Sequence, residues 1–139
     1  MSERVNVTEF AFPGPLRDQL VGPVLRGEKT STSGLLAEYE HDGEELPRVG
    51  ERSHVVDSGG EPVAVIEVTE VQVIRAGDVD LQFARDEGEG FESAADWRDA
   101  HKRFWDSYIP AHIGDREWKL TDDTLIVAER FRLVELLDG

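Results

Sequence analysis

Cysteine is absent from this chain. That removes a disulfide framework, a thiolate nucleophile and a cysteine-type zinc site from consideration. Long apolar runs are missing too, and none approaches the roughly 18 residues that a membrane span requires. The opening stretch MSERVNVTEF lacks a basic start followed by an apolar core, so no secretory leader is expected and a cytoplasmic location is. Basic residues are scarce, with 15 Lys and Arg against 30 Asp and Glu and a formal net charge of −15. Broad nucleic-acid binding works by neutralising many phosphates with Lys and Arg, and this chain is poorly built for it. If nucleic acid is a partner, the expectation is a small positive pocket in an acidic body or a nucleoside-sized ligand, and no membrane is involved. His41, His54, His101 and His112 show no H-x-x-x-H spacing, so no metal and no cofactor are expected.

What is present suits one soluble domain over residues 1–139, with a core over about 15–137 and a flexible or short-stranded stretch over 1–11. Leu16, Leu20, Val24 and Leu25 recur at helical spacing, and Gly22-Pro23 is expected to kink or end that helix. His41 to Gly50, with its glycines and proline, reads as a loop. Ser53 to Asp57 and Pro62 to Ile74 read as strands joined by a Ser58-Gly59-Gly60 turn. The second strand is too long to stay flat and is expected to bulge near Glu67 to Glu70. Thr124 to Leu136 is the last strand, and on it Glu129 falls in step with Leu125, Val127, Phe131 and Leu133. Between the strands, Ser93 and Asp96 resemble a capping box. Trp97, His101, Phe104, Trp105 and Tyr108 then share one helical face. The expected inward set is Trp97, Phe104, Val63, Val65, Val127 and Phe131. The fold class is α+β, with a strongly bent sheet or small β-barrel flanked by helices.

The stretch RGEKTSTSGLLAEYE places Lys29 before four small hydroxyl residues, Thr30, Ser31, Thr32 and Ser33. Two readings fit. The hydroxyls suit a helix N-terminus, where their oxygens accept from free backbone N–H groups; the helix would run from Gly34 to Glu40. Alternatively they line a pocket in which a partly buried lysine activates a threonine hydroxyl.

Gly27-x-Lys29-x-x-Thr32 is similar to the G-x-K-x-x-T signature of the ASCH domain family, a branch of the PUA-like β-barrel folds. The likeness continues through Leu46-Pro47-x-Val49-Gly50, Gly60-x-Pro62, Phe83-Ala84, Glu87-Gly88-Glu89-Gly90, Trp97-Arg98-x-x-His101 and Glu129-x-Phe131. Relatives often carry alanine where this chain has Ser31, and aspartate where it has Phe91. The resemblance implies an RNA- or nucleoside-directed protein. In some small bacterial members it extends to hydrolysis of 4-acetylcytidine, and in another to ribonuclease activity. The other implied role is a non-catalytic RNA- or nucleotide-binding module. Carried onto this sequence, the catalytic set is Lys29, Thr32 and either Glu87 or Glu89. Thr30, Ser31, Ser33, Trp97, His101 and Tyr108 are candidate ligand-binding residues, Trp97 and Tyr108 as stacking surfaces. Glu67 and Glu129 are candidate buried carboxylates, with Arg52 and Arg130 as alternative partners.

Overall fold

The computed structural model describes residues 6–137. The expectation for residues 1–5 therefore lies outside the described residues. In the described part of that stretch, β1 (Val7–Thr8) pairs in parallel with β3 (Arg52–Val56). Helix α1 (Pro15–Leu25) begins on Pro15, whose missing N–H costs nothing in a first turn. It continues through Gly22-Pro23 and ends two residues later, at Leu25. Pro23 lies in the last turn, where only one ladder bond is lost. Its carbonyl accepts the N–H groups of Glu28 and Lys29 at 2.8 and 3.1 Å. The proline that was expected to break the helix thus fixes the chain entering the lysine.

The hydroxyl run is a strand, not a helix cap. β2 (Ser31–Leu35) lies antiparallel to β5 (Leu125–Leu136), with Ser31 opposite Arg130 and Thr32 opposite Glu129. Helix α2 (Leu36–Asp42) starts only afterwards and has no side-chain cap. Alternation explains the outcome: Ser31, Ser33 and Leu35 point one way, Thr32 and Gly34 the other. Helix-start chemistry and a strand edge use the same small polar residues, so the residue types alone could not separate them.

β3 and β4 (Pro62–Arg75) form the expected hairpin, in which the Asp57 carboxylate accepts from the N–H groups of Gly59 and Glu61, each at 2.9 Å. The register between β4 and β5 shifts at Val65/Ile66 and at Val68/Glu70, so the long strand does bulge where expected. The five strands are ordered β1-β3-β4-β5-β2 in an open sheet. The small closed barrel is therefore corrected to an α+β sheet with free edges at β1 and β2.

One face of the sheet packs under α3 (Leu81–Asp86) and α4 (Ala94–Ile113), burying Leu35, Phe83, Trp97, Trp105, Ile109 and Ile126. The other packs under α1 with Phe10, Val21, Val24, Val55, Ile66 and Phe131. Trp97, Val127 and Phe131 are buried as expected. Val63 and Val65 are only half-buried, because Ala64, Ile66 and Val68 take the inward positions of β4. Both parities of that strand are apolar, so its alternation carried no direction. Phe104 is also half-buried; it lies at the rim of the site described next. Asp80 caps α3 by accepting from the Phe83 N–H at 2.8 Å, and Ser93 caps α4 by accepting from the Asp96 N–H at 3.0 Å.

Candidate functional site

Lys29 ends the turn from α1, and its whole side chain is withdrawn from water at 2% exposure. Its Nζ donates to the carbonyl oxygens of Ser31 at 2.9 Å and Glu87 at 3.0 Å. The Glu87 carboxylate lies 3.8 Å away and is as buried as the lysine. The turn that brings them together depends on Gly88, which has φ 73° and sits where an added Cβ would meet the Lys29 N, Cα and Cβ at 3.0–3.2 Å. Neither the left-handed backbone nor the close approach admits a side chain cheaply. Gly88→Ala is expected to destabilise the fold by about 1–3 kcal/mol, measured by denaturant melts. Unchanged stability would show that the turn does not hold the lysine.

Glu87 is the collecting point of the site. One oxygen accepts from the Ser33 hydroxyl at 3.0 Å and from the Trp97 indole N–H. The other faces Lys29 and, at 3.4 Å, the His101 Nε2. Burial opposes the charge on Glu87. The hydrogen bond and charge of His101, with Lys29 and Trp97 behind them, outweigh it and hold the carboxyl below its ordinary range. Burial likewise opposes the imidazolium of His101, yet Glu87 and the Trp97 carbonyl raise its pKa. For Lys29 burial wins: the ammonium is drawn below the ordinary lysine value, with Glu87, Glu89 and Glu129 offsetting only part of the effect.

His101 is set by its neighbours. Its Nδ1 lies 2.8 Å from the Trp97 carbonyl, which can only accept, so Nδ1 carries a proton. Its ring stacks on Trp97 with centroids 4.3 Å apart, and Nε2 is left to face Ser33 at 3.2 Å.

These groups open into a cleft of about 620 Å³ between the segment Glu9–Pro13, α1, β2, α2 and α4. Lys29, Thr32, Ser33, Glu87, Glu89, His101 and Tyr108 all line it. Glu89 is exposed at the mouth, and partial burial raises its carboxyl pKa, with Lys29 opposing and Glu87 reinforcing. Glu87 is therefore the carboxylate at the lysine, and Glu89 the one beside it. Thr32 is half-buried and, among the described residues, its hydroxyl bonds to none of Lys29, Glu87 and Glu89.

Three expected ligand contacts lie elsewhere. Ser31 is fully buried and donates to the Phe83 carbonyl at 3.0 Å, so it ties β2 to α3. Thr30 joins β2 to its surroundings by backbone bonds to Asp86 and Phe131. Trp97 has 0% exposure, which leaves it no face for a base; its role is to hold Glu87 and His101. Glu67 is not buried alone but bridges Arg52 at 2.9 Å and Arg132 at 3.0 Å. Arg130 pairs with Asp86 at 2.7 Å, not with Glu129.

Spacing missed two groups of residues. The first is the segment Phe10 to Phe12, in which Phe10 lies 5.4 Å from the Lys29 Nζ and Phe12 packs on Tyr108 with centroids 5.3 Å apart. The second comprises two metal-competent sets, Glu87-Glu89-His101 and Glu38-Asp42-His112, each with ligand atoms within 4.8 Å of one another. Their members come from separate elements, so no sequence spacing could show them. In the first set Glu87 is already satisfied by four protein groups, which leaves it a poor ligand.

The solved structures most informative for this chain are two bacterial proteins. An ASCH domain from Lactobacillus crispatus JV V101 is 30% identical over 93% of this chain and 79% of its own, with a TM-score of 0.81. A protein from Enterococcus faecalis V583 is 26% identical over 94% of this chain and 77% of its own, also at 0.81. No functionally curated protein matches the chain. The ASCH domain model matches residues 8–135, from the first strand to the end of the last. The chain belongs to the ASCH domain family, a family broadly associated with RNA binding.

Proposed function

We propose that the cleft receives a modified nucleoside, free or at an exposed position of an RNA, and hydrolyses an acyl amide on its base. The observation that carries this reading is the buried Lys29–Glu87 pair, which lines the same cleft as the Thr32 hydroxyl. Two Lys29 N–H groups are committed to carbonyl oxygens. In the neutral amine, which burial favours, the remaining position is a lone pair able to take a proton. Thr32 Oγ1 attacks the acyl carbon, and its proton passes to Lys29 Nζ. Glu87 stabilises the ammonium that forms. The C–N bond then breaks as the leaving amine takes that proton back. Water repeats the sequence on the threonine ester and releases the acid. Glu89 lies at the mouth, where partial burial raises its carboxyl pKa and favours a role as proton donor.

A second reading is a non-catalytic binding module. It is favoured by the Lys29 Nζ being tied to two backbone carbonyls, which makes the lysine a fixed part of the cleft wall rather than a mobile base.

Incubation with acylated nucleosides and short RNAs, followed by mass spectrometry, separates the two. Hydrolysis predicts loss of the acyl group from at least one nucleoside. Thr32→Ala is then expected to lower turnover by about 100-fold or more while leaving the melting temperature nearly unchanged. Binding of the nucleoside without any product would establish the module reading. Neither binding nor product would remove both.

A further inference from the structure

The charge around the cleft is lopsided. Six carboxyl groups line it, those of Glu9, Glu38, Asp42, Glu44, Glu87 and Glu89, against the cations Lys29 and Arg17. Neither cation is free to meet an anion. Lys29 is spent on two carbonyls and Glu87, and Arg17 is 3% exposed and donates to the carbonyls of Ala11 and Asp57. A phosphate entering here would meet carboxylates and no accessible ammonium or guanidinium. His101 is engaged with Glu87, and His112 offsets at most one charge on Glu38 and Asp42, at 3.8 and 2.8 Å.

At the outer end, aromatic rings join these carboxylates. Phe12 is 61% exposed and meets Tyr108 edge-on at 5.3 Å and Phe104 at 6.3 Å, while Phe104 and Tyr108 are 5.1 Å apart. The Tyr108 hydroxyl donates to one oxygen of Glu38 at 3.1 Å, which joins the aromatic wall to the acidic one. Aromatic faces beside carboxylates attract organic cations through the ring quadrupole and the net charge together. Of the groups there, only His112 could meet an anion, and it already pairs with Asp42 at 2.8 Å.

We propose that the outer half of the cleft is a subsite for an organic cation, an alkylammonium or guanidinium group. It follows that the site prefers a nucleoside bearing such a group, or an uncharged one, over a nucleotide or an RNA phosphate. The nucleoside part of this inference rests on the function proposed above; the cation subsite stands on its own residues.

A charge series of one size tests it: butylammonium, butanol and butyrate, followed by NMR at Phe12, Glu38, Phe104 and Tyr108. Butylammonium is expected to bind saturably at those residues, weakening about fivefold or more in the Glu38→Gln/Asp42→Asn variant and with added salt. Butyrate is expected to leave them unmoved. Cytidine is expected to bind at least about fivefold tighter than cytidine 5′-monophosphate. Butyrate or inorganic phosphate moving the same residues as strongly as butylammonium would overturn the proposal. So would zinc ion binding at Glu38, Asp42 and His112 while butylammonium did not bind. Butylammonium binding without cytidine binding would sink the nucleoside reading alone; cytidine binding without butylammonium would sink the subsite alone.

Discussion

Glu87→Ala is expected to destabilise the protein by about 3–5 kcal/mol, the usual cost of removing one partner from a buried ion pair. The reason is what it leaves behind. Lys29 keeps its two carbonyl acceptors but loses the only carboxylate within salt-bridge distance among the described residues, in a setting 2% exposed. The Trp97 indole N–H and the Ser33 hydroxyl lose their acceptor, and His101 loses its counter-charge. Removing Lys29 at the same time should recover part of the loss. Lys29→Met/Glu87→Ala is expected to be clearly less destabilised than the sum of the two single variants, because the uncompensated charge goes with the lysine. Urea melts of the four proteins in a double-mutant cycle check this. Additive losses would mean that the pair has no coupling, and the site would then be held by packing alone.

Much of this geometry was legible in the sequence, for reasons that differ by residue. The spacing Lys29-x-x-Thr32, the Glu87-Gly88-Glu89 turn and the helix face containing His101 each depend on local structure or on ordered motifs, and the structure brings all of them to one cleft. The choice between Glu87 and Glu89 was not legible, since it turns on a left-handed glycine against the Lys29 backbone. Ser31 and Ser33 look equivalent as residue types, yet one is sealed under α3 and the other reaches Glu87. Phe104 and Tyr108 of the aromatic wall were legible as one helical face, but the part played by Phe12 was not. Phe12 reaches Phe104 and Tyr108 only because Arg17, buried in α1, gathers the Ala11 carbonyl through two guanidinium N–H groups, with Ala11 at φ 61°. Such a bend leaves no periodicity. The Val63/Val65 parity failed for a related reason, because β4 carries apolar residues on both faces between its two bulges.

The open sheet also explains why the cleft exists. In a closed barrel β2 would be paired on both sides, whereas here it is an edge strand joined only to β5. Its free side meets no further strand among the described residues, and its Thr32, Ser33 and Gly34 line the cleft. α2, which follows β2 directly, then lays Tyr39 over Gly34, where an added Cβ would meet the ring at 3.1 Å. Edge position, small residues and a covering aromatic ring together give a polar floor protected from strand addition.

The last residue for which a large effect is expected lies on the neighbouring strand, β5. Glu129 stands opposite Thr32 on β5 and beside Val71 on β4. Burial, reinforced by Glu51 and only partly opposed by Lys29, raises its carboxyl from 4.5 to about 7. A raised acid is stabilising while protonated in the fold. Its contribution is complete below about pH 4.5 and is lost as the pH climbs through about 7. At 1.36 kcal/mol per unit, and allowing for its residual exposure, the loss is on the order of 2–3 kcal/mol. Glu129→Gln keeps the shape of the protonated acid and cannot ionise. The variant is expected to match the parent protein near pH 5 and to exceed its stability near pH 8 by that amount. Glu89 and His101 are also raised and titrate in the same direction, so each protein alone will lose stability with rising pH. Only the difference between parent and variant isolates Glu129, and urea melts at the two pH values measure it. A difference that stays constant with pH would mean that the Glu129 carboxylate finds water.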